Sequence, residues 1–133
     1  MSTLFTKIIN REIPGYIVAE DDAHIAFLDI FPLNYGHTLV VPKNEVDYVF
    51  DMNPDDLAQL MAFAQKVAKA IKMVVPCNRI GVSVVGLEVP HAHVHLIPIN
   101  SVGDMNFSKE KLSPEKFEMI EMTEKIQKAF QSL

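Results

Sequence analysis

The chain has 133 residues, 49% of them hydrophobic and 22% charged, which suits one domain with one apolar core and excludes a disordered segment. Its net charge of -5 argues against a nucleic-acid backbone as partner, because proteins of that kind carry a basic surface. The single cysteine, Cys77, excludes an internal disulfide and a cysteine metal cluster, and no apolar run approaches the ~18 residues of a membrane span.

With no apolar leader after Met1, the expectation is a cytoplasmic protein with no membrane partner. Residues 5–10 read as a short helix or turn, stopped by Ile13-Pro14-Gly15. Residues 16–19 and 25–28 read as strands joined by the polar Glu20-Asp21-Asp22, a hairpin in which His24 is a solvated turn residue. Residues 29–36 form a loop, and residues 37–41 a third strand closed by Pro42. Asn53 and Pro54 are a cap and a first helical position. From there Leu57, Leu60, Met61, Ala64, Val67, Ala68 and Ile71 make the apolar stripe of a helix reaching Val74. Residues 80–85 read as a fourth strand, 86–90 as a bend and 89–98 as a fifth strand. A last helix opens near Ser113-Pro114-Glu115, with Phe117, Ile120, Met122, Ile126, Ala129 and Phe130 on its apolar side. Strands joined by tight turns, with helices between and after them, predict an α+β fold. It has an antiparallel sheet of about five strands, a long central helix and an added C-terminal helix over residues 113–132.

Three of the five histidines fall within five residues, His91-Ala92-His93-Val94-His95. On a strand they share one face, while Ala92, Val94 and Leu96 turn to the core. Imidazole is both a nucleophile and a proton carrier near neutral pH. Three readings follow. One imidazole attacks a phosphoryl centre while a neighbour handles the proton. Alternatively the three hold a metal ion, with other ligands folded in from elsewhere. Or they are hydrogen-bonded core residues, each needing its own partners. Spacing alone leaves all three open.

The run Val89-Pro90-His91-Ala92-His93-Val94-His95-Leu96-Ile97 resembles the signature of the histidine triad (HIT) superfamily. Leu4-Phe5-Thr6-Lys7-Ile8-Ile9-Asn10-Arg11-Glu12-Ile13-Pro14 looks like the family's opening segment. Ala26-Phe27-Leu28-Asp29-Ile30 looks like its ribose-binding segment, and Gly36-His37-Thr38-Leu39-Val40-Val41-Pro42-Lys43 like its central strand. The resemblance covers residues 1–100 of a single domain spanning 1–133. It implies a nucleoside phosphate hydrolase or transferase that acts at the α-phosphorus through a nucleotidyl-histidine. His93 would be the nucleophile, His95 would contact phosphate and assist the leaving group, and His91 would support the site. His37 matches the fourth family histidine. Asp29 matches the acid that accepts hydrogen bonds from the ribose hydroxyls. Phe27 and Ile30 match the base pocket.

Three departures from the family pattern bear on chemistry. Thr3, Thr6 and Glu45 stand where many members carry two cysteines and a histidine that bind a structural zinc together with the first triad histidine. No metal and no cofactor are expected here. Leu87-Glu88 replaces a segment that ends in a hydroxyl, which puts a carboxylate near the phosphate or leaving group. Ser83 stands in for an asparagine. The resemblance implies a purine mononucleotide or nucleotide conjugate as ligand and a two-fold homodimer as assembly. It leaves three activities open: Hint-like phosphoramidate or acyl-phosphate hydrolysis, Fhit-like cleavage of dinucleoside polyphosphates, and nucleotide binding with little turnover.

Overall fold

This computed structural model describes residues 3–133; Met1 and Ser2 of the expected domain lie outside the described residues. Thr3 caps a short helix, α1 (Leu4–Ile9), its hydroxyl accepting the Thr6 N–H at 3.0 Å. β1 (Ile17–Glu20) and β2 (His24–Leu28) form the hairpin, and β3 (Thr38–Pro42) pairs antiparallel with β2. α2 (Pro54–Val74) begins where the Asn53 side chain accepts the Asp56 N–H at 2.8 Å and Pro54 takes the first turn. It stops because Pro76 disfavours helical geometry at Val75. β4 (Arg79–Ser83), β5 (Val94–Ile99) and α3 (Lys116–Gln131) complete the regular elements. The five strands form one antiparallel sheet in the order β1-β2-β3-β5-β4, so the fold is the predicted α+β arrangement. No described helix is long and apolar enough to cross a membrane.

Strand alternation sorts the side chains to two covered faces. Ala26, Leu28, Val40, Val94 and Leu96 join α2 and α3 in the main apolar cluster. Ile25, Phe27, Leu39 and Val41 point the other way and join Phe5 and Ile8 of α1. His95 lies opposite Leu39 in the β3–β5 register, so it belongs to the α1 face. The sheet thus rests on α2 and α3 and presents its chemistry on the side of α1.

Four details differ from the sequence expectations. The histidine strand starts at Val94 rather than Val89, so only His95 sits within it. Pro90 has no N–H to give a ladder, and the donors after it go elsewhere: His91 N–H to Val89 O at 2.8 Å and Ala92 N–H to Val46 O at 2.6 Å. α3 begins two residues later than the Ser-Pro pair suggests, because a capping box between Glu115 and Glu118 sets its start. Its buried stripe is Met119, Thr123, Ile126 and Ala129, while Phe117 is 67% exposed. His24 is buried rather than solvated: its Nδ1 bonds Asp21 Oδ1 at 2.9 Å and its ring stacks on Phe63 at 5.2 Å.

Candidate active site

His37 is presented by a backbone turn that only glycine fits. Gly36 has φ +90°, and a Cβ there would meet Val75 Cγ2 at 2.8 Å. The ring that follows is 1% exposed, and its Nδ1 accepts the Leu33 N–H at 3.0 Å. That bond consumes the Nδ1 lone pair, so Nε2 carries the hydrogen of the neutral ring. Nε2 lies 2.9 Å from His95 Nδ1 and donates to it. His95 in turn carries its hydrogen on Nε2. His93 is fixed the opposite way: its Nδ1–H donates to the His91 carbonyl at 2.7 Å, which leaves Nε2 as a bare lone pair. His91 donates from Nε2 to Pro42 O at 2.7 Å, and its Nδ1 accepts from the Thr3 hydroxyl at 2.9 Å. One amide, two carbonyls and the Thr3 hydroxyl therefore set the tautomers of His37, His93 and His91, and His37 sets that of His95.

Among the described residues no buried side-chain polar atom lacks a hydrogen-bond partner. His93 Nε2 and His95 Nε2 have no protein partner, so both reach solvent. Their rings lie 5.0 Å apart. The mouth of the site thus offers one nitrogen lone pair beside one N–H donor.

Burial is the largest cause holding His37 down to about 3, and the charges of His95, Lys111 and His93 add to it. Burial also holds His95 down to about 4, with the charge of His93 adding. His93 is lowered by burial, against which its bond to the His91 carbonyl acts. All three rings are neutral near pH 7. Asp29 is raised by burial, opposed by its bond from the Phe31 N–H and by the charges of Lys111 and His93. Its Oδ1 accepts that N–H at 2.9 Å, and its Oδ2 lies 3.8 Å from His37 Nε2.

The other predicted residues surround this centre at different depths. Phe27 is 4% exposed and packs edge-on against Phe5, whereas Ile30 is 55% exposed beside Asp29. Ser83 stands opposite His95 in the β4–β5 register. Glu88 is exposed, and its charge acts on both Asp29 and His93. Three further residues reach the centre, of which Phe107 and Lys111 carry no signal in the sequence. Phe5 meets the His93 ring edge-on at 4.9 Å, Phe107 meets the His95 ring at 4.8 Å, and Lys111 holds a positive charge near Asp29 and His37.

Two groups of side chains lie where a metal could be considered. At the positions of the family's structural zinc, Thr3 Oγ1 lies 3.0 Å from Thr6 Oγ1, the Thr3 N–H donates to Glu45 Oε1 at 3.1 Å, and His91 Nδ1 is engaged by Thr3. Two neutral hydroxyls, a carboxylate that already accepts the Thr3 N–H and an occupied imidazole do not match the two thiolates and free imidazole nitrogen such a zinc takes. Asp29, His37 and His95 also bring three possible ligand atoms within 4.8 Å of one another. A metal on His37 Nε2 would displace its hydrogen to Nδ1, which faces the Leu33 N–H. The trio is wired for protons rather than for a cation.

The HIT domain family matches residues 10–102. An uncharacterized HIT-like protein of Borreliella burgdorferi is 36% identical over 129 residues, covering 90% of this chain and 93% of that protein. Adenosine 5'-monophosphoramidase HNT1 of Saccharomyces cerevisiae is 37% identical over 99 residues, covering 71% of this chain and 61% of the yeast protein. A Hit-like protein of Bartonella henselae, described as involved in cell-cycle regulation, superposes with a TM-score of 0.82 at 32% identity, covering 96% of each chain. The family match spans the residues that build the sheet and its histidines, and the chain belongs to the HIT family, which includes nucleotide hydrolases.

Proposed function

We propose that the protein hydrolyses a nucleoside phosphoramidate or acyl phosphate through a nucleotidyl intermediate on His93. The carrying observation is the pair of open nitrogens. His93 Nε2 is a lone pair held in place by the His91 carbonyl, and His95 Nε2–H is a donor held in place by His37. In the first step His93 Nε2 forms a bond to the α-phosphorus and the bond to the leaving amine or carboxylate breaks. An amine departs neutral after taking a solvent proton beside His95. The N–H of His95 stabilises charge on the phosphoryl oxygens and the leaving atom. In the second step water attacks phosphorus, the His93–phosphorus bond breaks, and the water proton returns to solvent. The carboxylate of Asp29 suits a ribose diol, and Ile30 borders it as one wall for a purine.

The test is rapid-quench mass spectrometry of wild type and His93→Ala with adenosine phosphoramidate, then with a dinucleoside polyphosphate. A nucleotidyl adduct is expected in wild type and not in the variant, with the phosphoramidate reacting faster. No adduct and no turnover with either substrate would overturn the assignment and leave the triad as a binding site. The same reading includes a two-fold dimer joined along β4, which ends the sheet and carries exposed Val82.

A further inference from the structure

The segment after the family-matched residues 10–102 folds back onto the catalytic histidines. It leaves β5 through a short 3₁₀ turn, Val102–Met105, and is pinned at its far end by Leu112 N–H to Pro32 O at 2.9 Å. Pro32 belongs to the loop that joins Asp29 to His37. Between these points Phe107 lies edge-on to two rings, 4.8 Å from His95 and 6.4 Å from His37. Lys111 is half-buried and donates from Nζ to Phe107 O at 2.6 Å. Among the described residues no carboxylate oxygen lies within 4.0 Å of that ammonium. Its charge is left to act on Asp29 and His37 at longer range.

We propose that Phe107 is a positioning residue of the site: held through its carbonyl by the Lys111 ammonium, it shields the His37–His95 hydrogen bond from water. An apolar ring over both imidazoles removes the solvent that would stabilise either as a cation. The direction of the proton chain, His37 to His95 and on to the open Nε2, depends on both rings being neutral, because a second proton on His95 would face the Nε2–H of His37. The charged and titratable groups facing this pair are Asp29 from the loop after β2, His93 from the turn before β5, and Lys111 from the same segment as Phe107.

NMR titration of the imidazole protons of His37 and His95 is run on wild type, Phe107→Ala and Phe107→Leu. The alanine variant is expected to raise the midpoints by about one pH unit or more, toward that of an open imidazole, while leucine keeps them low. Unchanged midpoints in a folded alanine variant would overturn the shielding role, whatever the enzyme does.

Discussion

Thr3 shows how one hydroxyl organises the support of the site. It donates its only proton to His91 Nδ1 and accepts from both the N–H and the hydroxyl of Thr6. His91 is 0% exposed, and its carbonyl orients the His93 lone pair. Thr3→Val keeps the shape and removes the donor. It leaves a buried nitrogen without a partner and strips the cap from α1, so a loss of about 1–3 kcal/mol is expected from denaturant unfolding. Adenylylation of His93 is expected to slow with it, since the carbonyl that holds the ring loosens. The same polar cluster is expected to make the fold independent of zinc. A chelator is expected to leave the thermal midpoint of wild type unmoved. A midpoint lowered by chelation, or an unaltered Thr3→Val protein, would show that the hydroxyl does not take the place of a metal.

At the scale of elements, β4 is the one that invites a partner. It has a neighbour on one side only, and its exposed Val82 continues into half-exposed Val84 and Val85. An edge strand with apolar side chains pairs with another unless a charge or proline blocks it. Wild type is therefore expected to sediment at twice 15.0 kDa and Val82→Lys at 15.0 kDa. A wild-type species at the smaller mass would remove the dimer. Which elements were legible beforehand follows from where their information lies. The cap and first turn of α2, Asn53-Pro54, are local chemistry, and so is the period of its stripe. The start of β5 is not local, since the Ala92 N–H leaves the ladder for Val46, forty-six residues earlier in the chain. The buried stripe of α3 is decided by what it rests on: Gln127 donates to Ile17 O at 2.7 Å, and Phe130 lies 5.9 Å from Phe63. The triad, His37 and Asp29 stood out by spacing and resemblance. The tautomers did not, because they are set by Leu33, Pro42 and Thr3, whose partners no sequence period reveals. Phe107 is equally silent as a sequence signal, because a T-shaped contact across the fold leaves no spacing to read.

For the whole molecule, neutral buried imidazoles make stability depend on pH in a definite direction. His37 at about 3 and His95 at about 4 both lie below the ordinary 6.5. Above pH 6.5 both rings are neutral folded or unfolded, and their contribution is fully present. Below it the unfolded chain takes up protons that the folded protein refuses, so stability falls with pH until the folded rings themselves protonate near 4 and 3. Each imidazole contributes a slope of up to about 1.4 kcal/mol per pH unit across that window. Asp29 works in the opposite sense. Its folded value is raised above 3.8, so its contribution is present at low pH and fades as pH rises through the folded value. The lowered Glu20, held by Lys43 and Arg11, adds to acid loss only below the ordinary 4.5 of its kind. Between pH 6.5 and 5 the imidazoles therefore make stability fall as the pH falls. Urea midpoints of wild type are expected to fall steadily over that interval. A His37→Asn/His95→Asn double variant, less stable at pH 7, is expected to show a much flatter dependence there. An equally steep fall in the double variant would place the acid sensitivity elsewhere and remove the claim that the proton chain is held neutral at the expense of stability in acid.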